Sequence, residues 1–411
     1  MPLTILHIST RLILGGSQEN TVLSCEGQAE LGHEVHLAYG PIFGPEGSLY
    51  ERASSFRAST GARIGMHELP NLVREIHPIK DLRCLRRDLR GLIREIEPDV
   101  VHTHSSKAGI LGRWAAWITR DRRGRRPGVV HTIHGPPFMP LEGGLLARTK
   151  TRGKNALYTA AEKFAASRCD LIVSVADAMT EQFLARGIGE AGQYLTVRSG
   201  METDPFLHAR AGEERASVRA ELGIPEDAFV IGTVARLAQH KGHDDLLDAM
   251  AGPLRDDPAV VLLWVGDGWW RDRLLARVRA MGLEERVIAP GLVAQERVPA
   301  MMRAMDVLCH PSSREGLPRT VPQALLAGVC PVAYDIDGTR EACREMETGR
   351  LVPHGDVGAL REALRWARDN PRERLGLAAT GRAWCATEFD HGAMVDHLES
   401  VYAEAMKRAG R

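Results

Sequence analysis

The seven cysteines, Cys25, Cys84, Cys169, Cys309, Cys330, Cys343 and Cys385, include no Cys-x-x-Cys pair. Odd in number and scattered, they lack the spacing of a disulfide framework or a zinc site and fit reduced thiols in a cytosol. Net charge is also missing. With 53 basic and 53 acidic residues, the whole-molecule field gives no pull towards nucleic acid. No apolar run reaches membrane-spanning length; the longest, such as Val260 to Val265, are strand-sized. The opening residues have no basic start and lead into a glycine turn. They read as a first strand rather than a signal peptide. What remains is a globular composition, 44% hydrophobic and 26% charged, over 411 residues. That length is too great for one ordinary core and predicts two domains.

The chain is organised around residues 306–328. An apolar strand, Asp306 to Cys309, runs into the loop His310-Pro311-Ser312-Ser313-Arg314-Glu315-Gly316-Leu317-Pro318. A helix starting near Thr320 runs out, with Val321, Ala324, Leu325 and Leu326 on one face and Gly328 at its end. Pro318 and Pro322 bracket the start, where a missing amide costs least. Glu315 therefore sits at the carboxyl end of a strand and Gln323 just inside the next helix. In an open α/β sheet that edge binds ligands, and the free amides of a helix start suit an anion such as a diphosphate.

The first half opens with strand Leu3 to Ile8, the loop Leu12 to Gln18 containing Gly15 and Gly16, a helix through Val22, Leu23 and Ala29, and strand Glu34 to Tyr39. Strand, glycine loop, helix, strand begins a nucleotide fold, although the Gly-x-Gly-x-x-Gly fingerprint is absent from the loop. Further strands are Asp99 to His104, Val129 to His134, Cys169 to Val175 and Tyr194 to Met201. His131 and His134 are three apart and point to opposite faces. His102 and His104 share a face but lack a third ligand close in sequence, so no metal site is nominated. Six arginines between Arg113 and Arg126, with Trp114 and Trp117, and a second cluster of Arg148, Lys150, Arg152 and Lys154 gather positive charge in this half. They are compatible with peripheral contact with an anionic membrane or acceptor, against an ordinary solvated helix face. Glu202 to Ala216 has no clean period and reads as a linker.

In the second half, strand Ala228 to Ala235 is followed by the loop Arg236 to Gly242 and a helix carrying Leu246, Leu247 and Met250. Arg236 and Lys241, five residues apart across a turn, suit the clamping of a diphosphate. Strand Val260 to Val265 exits at Gly266, and strand Arg286 to Ala289 at Pro290 and Gly291. Strand Cys330 to Tyr334, the turn Asp337 to Glu341, strand Gly349 to Pro353, a helix from Val357 to Arg368 and a helical tail from Arg372 complete the chain.

Glu315, seven intervening residues and Gln323 resemble the Glu-seven-Glu motif of retaining glycosyltransferase family four, with Gln in place of the second Glu. Most specific to this resemblance are residues 231–247 and 310–341. The family usually has Asn-Gly where this chain has Ser199-Gly200, and Gly-Gly where it has Asp337-Gly338. The resemblance implies an α/β GT-B architecture: two Rossmann-like domains facing across a deep cleft, with a C-terminal helix crossing back to the first domain. The expected division is an acceptor-side domain over 1–201, a linker over 202–227, a nucleotide-sugar domain over 228–385 and a returning helix over 386–411.

The implied catalytic set is Glu315, Arg236, Lys241 and His134, with Glu315 on the donor sugar, the two cations on the leaving diphosphate and His134 beside the transferred sugar. The implied donor-binding set is Gly15, Gly16, Gly266, Gly291, Gly316, Leu317, Pro318, Thr320 and Gln323. Gln323 can still hydrogen-bond a ribose but carries no charge. No cofactor, no metal and no protein nucleophile are expected. The implied reaction moves a hexose-type sugar from a nucleotide-sugar donor to a hydroxyl of a glycan, lipid-linked or small-molecule acceptor, in the cytoplasm or at the inner face of the cell membrane. Rival readings are a sugar-nucleotide epimerase or hydrolase on the same fold, and a non-catalytic nucleotide-sugar-binding protein.

Overall fold

The computed structural model describes residues 2–42, 47–139 and 144–411; Met1, in the opening stretch read above, lies outside them. The chain forms two compact units, one of residues 1–201 with 391–411, the other of residues 202–390.

The first unit holds a seven-stranded sheet of β1 (Thr4–Ser9), β2 (Glu34–Tyr39), β3 (Gly65–Glu68), β4 (Val100–His104), β5 (Gly128–Ile133), β6 (Leu171–Ser174) and β7 (Tyr194–Thr196). Its order is β3-β2-β1-β4-β5-β6-β7, all parallel. The helices that position the residues discussed below are α1 (Gly16–Glu30), α2 (Ser106–Ile118) and α3 (Leu145–Ala166). β1, β4 and β5 are buried along almost their whole length, yet they carry His7, His102, Thr103, His104, His131 and Thr132 among their apolar residues. Strand order reverses between β1 and β4, so their carboxyl ends form the natural ligand edge.

The second unit repeats the plan with β8 (Phe229–Val234), β9 (Val260–Val265), β10 (Val287–Gly291), β11 (Val307–His310), β12 (Cys330–Tyr334) and β13 (Arg350–Val352), in the parallel order β10-β9-β8-β11-β12-β13. Its helices include α4 (His243–Asp256), α5 (Thr320–Leu326) and α6 (Pro371–Glu388). Here the order reverses between β8 and β11. The stretch read as a linker contains short helices, Asp204–Leu207 and Arg215–Glu221. The order of the second comes from long-range charge rather than local periodicity. Asp306, at the foot of β11, accepts from Arg215 at 2.7 Å, from Arg219 at 2.8 Å and from the Val230 amide at 2.8 Å.

The helical tail is two helices. α6 belongs to the second unit, and after Asp390 the chain re-enters the first unit as α7 (His391–Arg408). Met394, Val395, Leu398, Val401, Tyr402 and Ala405 share the core that includes Ile5, Val100 and Val130. Gly27 lets α7 come close, because a Cβ there would stand 2.5 Å from Val395 Cγ2. No described helix is long and apolar enough to cross a membrane.

Candidate active site

In the second unit, the loops leaving β8 and β11 are interlocked. Gly242 has φ +70°, and a Cβ there would lie 1.9 Å from the Pro311 carbonyl oxygen, so only glycine fits. The Ser313 amide donates to the His240 carbonyl at 2.8 Å, and Ser312 Oγ donates to the same carbonyl at 3.0 Å. This clasp brings together residues 74 apart in the chain: Lys241 Nζ forms an ion pair with Glu315 Oε1. His310 Nε2 lies 3.2 Å from the same oxygen, and its Nδ1 is 3.3 Å from Thr320 Oγ1 at the start of α5. Burial works to raise the Glu315 pKa, but Lys241 and His310 overcome it and hold the carboxyl well below its usual range.

The Glu315 amide donates to Asp337 Oδ2 at 2.9 Å. Asp337 has φ +40°, a left-handed backbone that glycine adopts without penalty. The hydrogen bond to Glu315 offsets that strain and gives a physical reason for Asp where the family usually has Gly. The Gly338 amide donates to the Gly316 carbonyl at 3.1 Å, while Leu317 and Pro318 are buried under the loop. Gln323 is half-buried in the first turn of α5. Gly266 and Gly291 meet, the Gly266 amide donating to the Gly291 carbonyl at 2.9 Å. Arg236 is exposed at the exit of β8, its guanidinium carbon 5.6 Å from the Trp269 ring centroid. Trp269, 66% exposed, was not nominated from sequence; an apolar ring left in water beside a cation was the available signal.

In the first unit, Gly15 caps α1 and accepts the Glu19 amide at 2.9 Å, and Gly16 begins the helix. A pocket of about 470 Å³ lies at the β1–β4 reversal, lined by Thr10, Arg11, Ser105, Lys107, Leu157 and Tyr158 among others. His134 is half-buried at the exit of β5, its Nε2 3.2 Å from His104 Nδ1. His131 points to the other face of the sheet and bonds the Thr103 carbonyl at 3.1 Å.

The third ligand that the sequence did not supply for His102 and His104 is His7. The three buried imidazoles place a nitrogen each within 4.8 Å of one another and could hold a metal. Their nitrogens already have hydrogen-bond partners: His7 reaches His104 and Gln28, His102 reaches Tyr402 and Thr132, and His104 reaches His134.

The basic stretch from Arg113 is not a uniform positive face. Arg113 is buried and bonded to Glu162 at 2.6 Å, and Arg126 pairs with Asp170 at 2.6 Å while covering Trp117. Arg148, Lys150, Arg152 and Lys154 do lie exposed on α3, with Leu145 and Leu146 also in solvent.

Two parallel sheets of seven and six strands, each wrapped by helices, make this a GT-B protein. HepE of Anabaena, solved with UDP and glucose, superposes with a TM-score of 0.78 at 20% identity, covering 98% of this chain and 99% of its own. Residues 15–200 match the glycosyl transferase 4-like domain, and residues 214–384 match the glycosyl transferases group 1. The 2-deoxystreptamine glucosyltransferase of Streptomyces kanamyceticus is 31% identical, over 77% of this chain and 91% of its own. The UDP-Gal:alpha-D-GlcNAc-diphosphoundecaprenol alpha-1,3-galactosyltransferase of Escherichia coli is 28% identical, over 82% of this chain and 83% of its own. The chain belongs to the family-four, group 1 type of glycosyltransferase, and it is an enzyme of that class.

Proposed function

We propose that this enzyme moves a hexose-type sugar from a nucleoside-diphosphate sugar to an acceptor hydroxyl with retention of anomeric configuration. The observation that carries the reading is the Lys241–Glu315–His310 constellation at the strand reversal of the second unit. As the glycosidic bond of the donor breaks, negative charge builds on the departing diphosphate. Lys241 and Arg236 supply positive charge there, so the step requires no metal. Glu315, held as a carboxylate, accepts hydrogen bonds from sugar hydroxyls and fixes the ring for attack. Trp269 offers the base a flat apolar face, and Gln323 offers the ribose a neutral amide. His134 contacts the sugar or the acceptor. No side chain is assigned as a nucleophile: the acceptor oxygen enters on the face the diphosphate leaves, which retains configuration.

The acceptor is a glycan, a lipid-linked sugar or a small polyhydroxylated molecule. The first-unit pocket supports that range, since Arg11 suits an anionic group, Lys107 is paired with Asp81, and Ile110 and Leu157 suit an apolar group. The names of the two relatives span the same range, one acting on 2-deoxystreptamine and one on a diphosphoundecaprenol-linked sugar.

Incubation with UDP-, GDP-, ADP- and TDP-hexoses and an acceptor panel, with the product anomer assigned by proton NMR, tests this. One donor base yields an α-linked product from an α-linked donor, and turnover persists in EDTA. An inverted product, or release of free sugar alone with every acceptor, contradicts it.

A further inference from the structure

His240 stands beside Lys241 in the short turn Gln239–Lys241 between β8 and α4, and the transfer chemistry of Lys241, Arg236 and Glu315 makes no use of its imidazole. Its main chain is fixed by the loop after β11. The His240 carbonyl accepts from the Ser313 amide at 2.8 Å, from Ser312 Oγ at 3.0 Å and from Ser313 Oγ at 3.3 Å. Two residues on, Gly242 is seated against the Pro311 carbonyl. The ring is in the opposite situation. It is half-buried, and among the described residues it has no hydrogen-bond or ion-pair partner. A polar ring held in place at a ligand edge with its nitrogens unspent is available to a ligand.

Four charged side chains act on that ring: Lys241 and Arg236 from its own loop, Glu315 and Arg314 from the loop after β11. Burial and the three cations outweigh Glu315 and hold the imidazole below the usual histidine range. At pH 7.5 it is therefore neutral. A nucleotide sugar, ionised on both phosphates, reverses this balance. An anion within about 4–6 Å favours the protonated imidazole and offsets the burial and the neighbouring cations. An arginine here would face Lys241, Arg236 and Arg314 with a permanent charge, whereas an imidazole carries its charge only beside an anion.

We propose that His240 is a third cationic contact for the donor diphosphate, its imidazole taking a proton from solvent as the diphosphate binds at the β8–β11 reversal. The protonated ring donates a charge-assisted hydrogen bond to a phosphate oxygen, and the proton returns to solvent when the nucleoside diphosphate departs. The inference rests on the reading of this reversal as the diphosphate site.

The test is calorimetry with UDP-, GDP-, ADP- and TDP-glucose, whose diphosphates are esterified at both ends and so lack the monoester proton that titrates at about pH 6. Titrations at pH 6.5 in two buffers of different ionisation heat count the protons exchanged. The wild-type protein takes up protons with the conjugate it binds, and its affinity rises by up to about ten-fold per pH unit as pH falls from 7.5 to 6. Only the main-chain carbonyl of His240 enters the clasp, so His240→Asn leaves the loops joined. That variant still binds at pH 7.5, takes up fewer protons at pH 6.5 and has a flatter affinity profile. His310, the other imidazole of this reversal, is unaltered in it, so the difference between the profiles belongs to His240. Wild-type binding without proton uptake overturns the inference and leaves the donor site standing, as does an identical pH profile in His240→Asn. Failure of every conjugate to bind the wild-type protein at any pH overturns the donor-site reading and this inference with it.

Discussion

Glu315→Gln loses transfer by roughly 10²–10³-fold in kcat while keeping its affinity for the nucleoside diphosphate. Two facts set this split. The Glu315 carboxylate holds its charge despite burial because Lys241 and His310 face it, and a neutral amide accepts weaker hydrogen bonds from sugar hydroxyls at the moment positive charge develops on the ring. Lys241 is, however, also paired with Glu315. A diphosphate must compete for that ammonium, and removing the competing carboxylate leaves it available. Lys241→Ala behaves differently. It removes a charge-assisted contact of about 1.5–3 kcal/mol, weakening nucleoside diphosphate binding roughly 10- to 150-fold, and it leaves Glu315 buried without its cation, so turnover falls too. Calorimetry with the free diphosphate alongside steady-state rates measures both variants. Loss of nucleotide binding in Glu315→Gln, with binding intact in Lys241→Ala, would reverse the roles assigned to the two residues.

Mild acid unfolds the first unit before the second. Burial lowers His7 from 6.5 to about 4, against a smaller opposing effect of Gln28, and it lowers His102, His104 and His131 well below 6.5. These imidazoles are neutral in the fold and protonated in the unfolded chain once pH drops below 6.5. The unfolded state therefore binds more protons, and stability falls with pH through that window. For His7 alone the loss at pH 5 is about 2 kcal/mol. Three further histidines act with the same sign, against a typical domain stability of roughly 5–15 kcal/mol. In the second unit His243 is lowered to about 4 by burial and by Lys241. Glu315 acts lower still: its pKa is depressed, so its contribution is complete above about 4.5 and lost only below it. Calorimetric scans between pH 7.5 and 5 should show the transition of the first unit moving down steeply and separating from that of the second. A pH-independent first transition would mean that these histidines are hydrated or already charged.

The parts of this enzyme legible in the sequence were those that local pattern controls. β8, β9, β11 and β12 are apolar runs ended by glycine, proline or charge, and the β11–loop–α5 unit carries Glu315 and Gln323 in its own spacing. β3, with no fully buried residue, and the short polar helices between Asp204 and Glu221 gave no such pattern. Long-range pairings were the other gap. Strand alternation placed His102 and His104 on one face, but His7 joins them only through the register of β1 against β4. Arg113 read as surface charge because its partner, Glu162, lies 49 residues further on. The Lys241–Glu315 pair was nominated as two separate contacts, one for diphosphate and one for sugar. Only the clasp between the two loops shows that each is the other's counter-ion.

The exits of β8 and β11 are expected to hold a nucleoside diphosphate through Lys241. Thermal unfolding of the wild-type and Lys241→Ala proteins with UDP, GDP, ADP or TDP tests it most directly. At about a hundred times its dissociation constant, the right nucleotide stabilises the wild-type protein by about 2.7 kcal/mol. The expected result is a clear upward shift with one base, largely lost in Lys241→Ala at the same concentration. An equal shift in both proteins, or none with any nucleotide, would contradict it.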